Sequence, residues 1–154
     1  MWTELRERLG SDILRSGFDH WSSLAADKPV PSRCAFDPWE MPPDLLPHTV
    51  ILEVDAAPLN FRYRVIGDEV LRFMGQNYTG QWLSDITHQA PPSTLFETLS
   101  EAVNGPLPIL YDTPLSDPDQ NLYSSQEVVL PLSGDDGQVS RHLTFVEFAC
   151  AELN

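Results

Sequence analysis

The sequence predicts an α+β fold, in which a five-stranded antiparallel sheet carries helices on one face and an amphipathic helix precedes it. Three observations support this. Two segments with strand character come first, a helix with clear start and stop signals lies in the middle, and three more strand segments follow. Only consecutive strands are joined by short links, which favour antiparallel neighbours. The 154 residues are enough for one domain with a sizeable core.

Composition and charge limit the classes of partner. Hydrophobic residues make up 42% of the chain, which is typical of a globular protein. The net charge of −14 disfavours nucleic acids and anionic membranes, because both need a basic surface. Cys34 and Cys150 are the two cysteines, and neither a signal peptide nor an apolar run of membrane length is evident. We therefore expect a cytoplasmic protein with free thiols.

Residues 1–27 carry the repeat of an amphipathic helix. Apolar side chains recur every three or four residues, first at Trp2, Leu5, Leu9 and Ile13, then at Leu14, Phe18, Trp21 and Ala25. The spacing predicts one helix, or two helices separated near Gly10 or Gly17. Two interpretations stay open. The helix can pack on the outer face of its own sheet, or it can form a dimer or partner surface through Trp2, Leu5, Leu9 and Ile13.

Residues 28–47 contain six prolines. Proline lacks a backbone donor and fixes its own φ angle, so this segment is predicted to be an extended, ordered connector and not a helix or a central strand. Its apolar side chains are expected to pin it to the edge of the core; they are Phe36, Trp39, Met41, Leu45 and Leu46.

Residues 48–150 are predicted to form the core of the domain, beginning with a β-hairpin. Residues 49–55 (TVILEVD) form its first strand and residues 57–60 its turn. In the second strand Phe61, Tyr63 and Val65 alternate with two arginines, which indicates one buried face. Arg62 and Arg64 are expected to pair with Glu53 or Asp55 on the neighbouring strand. The alternative is that one of them clamps a ligand carboxylate.

Two helices and three strands complete the predicted core. Asp68 is expected to cap a short helix that buries Val70, Leu71 and Met74 and ends at Gly75. A longer helix begins at Ser93 or Thr94 with a capping box between Thr94 and Glu97, and it stops at residues 104–105. Strands are predicted at 109–113, 123–132 and 139–148, joined by a loop at 114–122 and a hairpin turn at 133–137.

The order of these elements, with several short motifs, resembles that of PAS domains. The motifs are Trp21, then PSR (31–33), FDP (36–38), LLP (45–47), FRYRVIG (61–67), and Gly75 followed by Thr79 and Gly80. More narrowly, the chain resembles the single-domain PAS proteins of alphaproteobacteria. The resemblance covers residues 18 to 148, and it rests on the order and spacing of the motifs together.

The resemblance implies a non-catalytic sensory or regulatory protein that usually forms a homodimer. PAS domains bind haem, flavin, organic acids or other metabolites between sheet and helices, and some bind no known ligand. A stand-alone member would act on another signalling protein, such as a histidine kinase, because no output module is evident in the sequence. The alternatives are a small-molecule sensor and a ligand-free adaptor or dimerisation module. The ligand and any cofactor stay unknown.

A candidate pocket is predicted between the sheet and the helices. Apolar walls with a few polar tips are typical of small-ligand cavities. The predicted lining residues are Tyr63, Val65, Leu71, Met74, Trp82, Ile86, Leu95, Leu99, Tyr111 and His142. Each of them could instead simply fill the core, and a strand that faces the other way would invert its part of the set.

The sequence shows few of the residues that haem binding, flavin photochemistry or catalysis would require. PAS domains that bind haem carry the iron ligand on the long helix, and residues 91–105 contain no histidine; His88 and His142 leave haem open. Light-sensing flavin PAS domains have a reactive cysteine in an Asn-Cys-Arg pattern, whereas Asn77 is followed by Tyr78 here. No metal-spaced histidine cluster, nucleophile elbow or phosphate loop is evident, so we do not expect an enzyme.

Overall fold

The computed structural model describes residues 2–116 and 122–150. The helices of this part are α1 (Thr3–Arg8), α2 (Asp12–Ser23), α3 (Asp68–Met74) and α4 (Thr94–Asn104). Its strands are β1 (Thr49–Ala56), β2 (Leu59–Ile66), β3 (Ile109–Ser116), β4 (Leu122–Ser133) and β5 (Val139–Cys150). The loop predicted at 114–122 falls largely on residues 117–121, which lie outside the described residues.

The strands form one antiparallel sheet in the order β2-β1-β5-β4-β3. The predicted five-stranded antiparallel sheet is therefore confirmed. The first and last strands of the core, β1 and β5, are neighbours at its centre, and each hairpin partner lies outside them. Among the described helices, none combines the length and the apolar character that crossing a membrane requires.

Each face of the sheet buries its own apolar cluster. Val128 and Leu130 of β4 pack with the side chains of α2 on the outer face, whereas Val129 between them packs with α4 on the opposite face. We call this opposite face, together with α3, α4 and the segment between them, the cradle. The helices predicted for one face thus form the cradle, and the N-terminal helices pack on the other side of the chain's own sheet.

The N-terminal segment forms two helices that break around Gly10. The Ser11 hydroxyl caps α2 by accepting a hydrogen bond from the Leu14 amide at 3.1 Å. The Trp21 ring is 1% exposed, and its Nε1 donates to the Pro131 carbonyl oxygen at 2.9 Å. Gly17 lies inside α2, where a Cβ atom would come within 2.5 Å of the Phe145 ring. The glycine therefore allows the helix to approach the sheet closely.

The connector is ordered but not extended, which corrects the prediction. Three 3₁₀ turns run through it, at Arg33–Ala35, Pro38–Glu40 and Pro43–His48. Proline at the first position of a turn needs no amide donor, so prolines start two of these turns. Of the five anchors predicted from the sequence, Phe36, Met41 and Leu45 are buried. The other two are exposed, Trp39 at 90% and Leu46 at 37%.

A bulge in the first hairpin corrects the predicted burial of β2. Tyr63 pairs with Leu52, but Val65 pairs with Ile51, so Arg64 is an extra residue on its strand. Tyr63 therefore faces the cradle, while Val65 packs in the outer cluster. The arginines behave as predicted, since the Glu53 carboxylate accepts hydrogen bonds from Arg62 Nε at 3.2 Å and Arg64 Nη1 at 2.9 Å.

Two helix starts differ from those predicted. Asp68 is the first residue of α3 and not its cap; the cap position is Gly67, whose backbone lies so close to the Leu46 and Pro47 carbonyls that a Cβ would not fit. In α4 the cap is Ser93, whose hydroxyl accepts from the Phe96 amide at 3.0 Å, in place of the Thr94–Glu97 box. The predicted end of α3 is confirmed, because Gly75 has a φ of 72°.

Candidate functional site

The cradle brings most of the predicted pocket residues together. They come from β2, α3, the segment after it, α4 and β3, and all lie in the cluster on the cradle face: Tyr63, Leu71, Met74, Ile86, Leu95, Leu99 and Tyr111. His142 of β5 joins them, because its ring lies 5.6 Å from that of Phe61, another member of the cluster. Val65 and Trp82 are the two that do not take part.

The Trp82 side chain lies outside the apolar cluster of the cradle. Its ring packs under the Arg62 guanidinium, with 5.1 Å from the guanidinium carbon to the ring centroid, and its backbone bridges to Arg62. The neighbouring Leu83 is fully buried in the cradle cluster instead. A 3₁₀ turn begins at Leu83 and points this side chain inward. In the sequence the pair is ambiguous, since both side chains are large and apolar.

His142 is a neutral hydrogen-bonding group inside the cradle. Its Nε2 lies 3.1 Å from the Leu99 carbonyl oxygen of α4. A carbonyl can only accept, so this contact places the ring proton on Nε2 and leaves Nδ1 as an acceptor. Burial lowers the pKa of His142 to about 4, with the Leu99 hydrogen bond opposing the shift. The Nδ1 atom is buried and has no partner within the described residues.

Two further pairs of polar residues lie in the cradle, one at each edge strand of the sheet. The Tyr63 hydroxyl of β2 donates to Gln89 Oε1 at 2.7 Å. On the other side Tyr111 of β3 lies directly opposite Glu127 of β4. Burial, then the Glu127 charge, raises the pKa of both tyrosines. Their hydroxyls therefore remain protonated donors at neutral pH.

Glu127 and Gln89 were not among the residues predicted from the sequence. Burial raises the pKa of Glu127, and hydrogen bonding to Tyr111 opposes that shift. None of the ion pairs in the described part of the chain involves Glu127. A signal for it exists in the sequence: Glu127 stands two residues before Val129 in a strand, so both share the buried cradle face.

Two hydroxyls on the same face add to this polar surface. Thr144 of β5 pairs with Val129 of β4, and Ser125 precedes Glu127 by two residues, so both point to the cradle. Thr144 is 5% exposed, and its Oγ1 has no partner within the described residues. Buried polar atoms in proteins nearly always have a partner, so unpaired ones indicate a place where a ligand or water binds.

The cradle contains acceptors, hydroxyls and a carboxyl group, but its face of the sheet carries no described arginine or lysine. Arg62 and Arg64 are bound to Glu53 on the opposite face of the sheet. Because an anionic ligand would meet Glu127 without a compensating cation, the arrangement favours an uncharged or cationic ligand with hydrogen-bond donors. Such donors would match the free acceptor of His142.

Three cavities in the described part of the chain lie away from the cradle. Cavities of about 490 and 380 Å³ lie beside α1 and α2, and one of about 500 Å³ lies between the connector and the β4–β5 turn. Cradle residues line none of these three. In the cradle Tyr78, which is 9% exposed, stacks on Tyr63 with 6.2 Å between ring centroids. Tyr78 therefore covers the Tyr63 ring at this place in the cradle.

His88, the other histidine considered as a haem ligand, lies at the surface beside Tyr78. His88 is exposed, and its ring lies 6.0 Å from that of Tyr78. Tyr78 follows Asn77, where the resemblance places the reactive cysteine of light sensors, and a phenol there cannot form a thiol adduct. Within residues 2–116 and 122–150, no group of three or more His, Cys, Asp or Glu side chains could hold a metal ion.

The residues predicted as a partner surface lie on the outer face. Leu9 is 2% exposed in the outer cluster, and the other three pack partly buried against it: Trp2, Leu5 and Ile13. Within one chain this stripe is thus used for packing, as the first interpretation proposed. A contact of the same residues with a partner stays a prediction.

An antiparallel sheet that holds polar groups under a helical cradle defines a class of small α+β modules built around an enclosed site. The family model described as PAS domain matches residues 11–146, and the chain belongs to this family. PAS domains are sensory and regulatory modules. Membership in the narrower alphaproteobacterial single-domain group stays a prediction. No match was found among the curated proteins.

Solved structures with similar folds include light-oxygen-voltage domains. One such domain, studied with a flavin analogue, is 14% identical; the match covers 66% of this chain and 76% of the other, with a TM-score of 0.48. The light-state Aureochrome1 domain is 10% identical; the match covers 70% of this chain and 83% of that domain, with a TM-score of 0.47. The N-terminal domain of a diguanylate cyclase with a PAS/PAC sensor from Marinobacter aquaeolei is 13% identical, with 64% and 93% covered and a TM-score of 0.44.

Proposed function

We propose that this protein is a non-catalytic, cytoplasmic PAS sensor that binds a small molecule in the cradle and passes the signal to a partner protein. The observation that carries the proposal is the buried, unpaired Nδ1 of His142. It lies in an apolar site together with the unpaired hydroxyl of Thr144 and the polar groups of Tyr63 and Glu127. An apolar cavity with a few convergent polar atoms is typical of small-molecule sites.

The proposed ligand is a small, uncharged or cationic molecule with a hydrogen-bond donor. The donor would bind His142 Nδ1, and the ring atoms of the ligand or its aliphatic part would contact Leu99 and Phe61. A carboxylate ligand fits poorly, because no described arginine lies on this face of the sheet and burial already disfavours the charged form of Glu127. Buried acceptors discriminate strongly against ligands that leave them unpaired.

The proposed mechanism is a shift between two packings of α4 on the sheet. In the closed form Leu99 of α4 binds His142 of β5, and Tyr63 binds Gln89 of the segment before α4. A ligand that enters the cradle has to separate these elements, so it stabilises an open form. The signal depends on the difference in ligand affinity between the two forms, and ligand binding with equal affinity would transmit nothing.

The partner side of the proposal is a homodimer that acts on a signalling protein such as a histidine kinase. The N-terminal apolar stripe of Trp2, Leu5, Leu9 and Ile13 remains the proposed contact, with Trp2 as its one aromatic residue. A ligand-free adaptor is the second candidate. The feature that favours it is Trp39, which is 90% exposed on a 3₁₀ turn capped by Asp37, since rigid exposed tryptophans are typical of interface hot spots.

Native mass spectrometry with an absorbance scan of freshly purified protein tests the proposal. We expect a bound mass in the wild type that is largely lost in Thr144→Val, and a Thr87→Val control that keeps it, because Thr87 is exposed. Competition between a neutral amide library and a carboxylate library then tests the ligand class. Two results together would favour the adaptor over the sensor. The purified protein would be unliganded and bind neither library, and partner binding would be lost only in Trp39→Ala.

A further inference from the structure

Arginines converge at one end of the outer face, where the sheet meets the connector. Arg64 of β2 lies next to Glu53 of β1, which pairs across the sheet with Arg141 of β5. Arg33 belongs to the first 3₁₀ turn of the connector, whose Ser32 bridges to Ser133 at the end of β4. We call Arg33, Arg64 and Arg141 the arginine cluster. These three residues are far apart in the chain, and only the fold brings them together.

The charge of this cluster is only partly compensated. Glu53 is its central carboxylate, and its two oxygens are already taken by Arg62 and Arg64. In the described residues Arg33 and Arg141 take part in no ion pair. The Nε atom of Arg141 is buried and has no hydrogen-bond partner there.

The direction of the Arg141 pKa shift agrees with a position close to the other two arginines. Burial lowers the pKa of Arg141, and the positive charges of Arg64 and Arg33 lower it further, against the opposing effect of Glu53. Like charges are therefore held together at a cost in free energy. The Asp135 carboxylate lies beside the connector, with one oxygen 4.0 Å from the Cys34 sulphur. In a chain with a net charge of −14, three neighbouring arginines of which Arg33 and Arg141 have no ion pair among the described residues need an explanation.

We propose that the arginine cluster is a binding site for an oxyanion group, a phosphate or a carboxylate. Guanidinium groups bind these anions through paired N–H donors, and the buried Nε of Arg141 supplies a donor that water does not easily satisfy. The anion is either free in solution or carried on a side chain of a partner protein. This site lies on the opposite face of the sheet from the cradle, so it does not depend on the proposed sensor function.

Titration with inorganic phosphate at constant ionic strength tests the site. The signal to follow is the arginine Nε–H resonance in ¹⁵N NMR. We expect saturable shifts that include Arg141, and a Kd at least about tenfold weaker in Arg141→Gln, because a charge-assisted pair is lost. Arg33→Gln changes an exposed side chain, so it gives the same test without risk to the fold. The matched control is Arg72→Gln. In the wild type Arg72 lies on α3, away from the cluster, and pairs with Glu69.

Two results would overturn the proposal. One is the absence of saturation up to about 10 mM phosphate, a concentration that would reveal even a millimolar site. The other is an equal Kd in the wild type, Arg33→Gln and Arg141→Gln. A phosphoserine peptide and its unphosphorylated form separate the two sources. Tighter binding of the phosphopeptide than of phosphate assigns the site to a partner side chain, and weaker binding assigns it to a free anion.

Discussion

The Nε2 atom of His142 lies 3.1 Å from the carbonyl oxygen of Leu99, and this hydrogen bond joins the central strand β5 to helix α4. The imidazole is surrounded by the apolar side chains of the cradle, among them Phe61 and Leu99. Protonation would place a charge in that environment, so the closed packing of α4 on the sheet requires the neutral ring.

The first prediction follows from this requirement. The pKa of His142 is about 4 in the folded chain and 6.5 as its ordinary value. The unfolded chain therefore binds more protons between these pH values, and stability falls as the pH is lowered through this window. We expect His142 to contribute about 3 kcal/mol to the loss of stability between pH 7 and pH 4.

Urea unfolding at several pH values measures this contribution. The His142→Asn variant should lose that part of the pH dependence, whatever its stability at pH 7. The control variant His88→Asn changes an exposed side chain and should keep the pH dependence of the wild type. If His142→Asn shows the same pH profile as the wild type, the imidazole is not the buried neutral group described here.

The second prediction concerns Glu127. Burial raises the pKa of this carboxyl group, so the folded chain binds its proton more tightly than the unfolded chain. Its contribution to stability is present at low pH and is lost as the pH rises through the folded pKa. Glu127→Gln keeps the shape and cannot ionise. We expect it to gain on the order of 1 kcal/mol relative to the wild type at pH 8, and less at pH 5.

Thermal unfolding of both proteins at pH 5 and pH 8 checks this second prediction. Glu97→Gln on the exposed side of α4 serves as the control and should behave as the wild type at both values. A Glu127→Gln variant that is less stable than the wild type at pH 8 would mean that the carboxylate has a favourable partner in the folded protein.

The order of elements could be predicted from the sequence because its signals are local. The period of β2, the Gly75 stop of α3 and the break near Gly10 depend on neighbouring residues only. The burial of Val65 could not be predicted in this way. It depends on the bulge at Arg64, which is set by pairing with β1.

The sequence predicted the apolar part of the candidate site and three of its polar residues, Tyr63, Tyr111 and His142. The apolar lining of the cradle follows from periodicity, which placed Tyr63, Leu99 and Tyr111 correctly. Glu127 and Gln89 become site residues only when β4 and the segment before α4 meet Tyr111 and Tyr63 in three dimensions. Such contacts join residues that are distant in the chain. Strand alternation predicts that Glu127 shares the buried face with Val129, but it does not predict these contacts.

The third prediction separates Trp82 from Leu83. Leu83 is fully buried in the cradle cluster, whereas Trp82 packs on Arg62 at the surface. Leu83→Ala should cost about 2–5 kcal/mol, because it removes buried methyl groups and leaves a cavity. Trp82→Ala should cost about 1 kcal/mol or less, since an exposed cation–π contact contributes about that much. Urea unfolding at pH 7 gives both values, and the reverse order would place Trp82 in the cradle, as the sequence suggested.

The last prediction tests how closely α2 approaches the sheet. A Cβ atom on Gly17 would lie 2.5 Å from the Phe145 ring, so Gly17→Ala forces the helix or the ring to move. Alanine favours helix formation by about 1 kcal/mol over glycine, and overpacking costs about 1–3 kcal/mol, so we expect a net loss of stability. Gly105→Ala is the matched control, since its nearest atom lies 3.9 Å from the new Cβ. A Gly17→Ala variant that is more stable than the wild type by about 1 kcal/mol, the full gain in helix propensity, would show that α2 does not pack this tightly on β5 in solution.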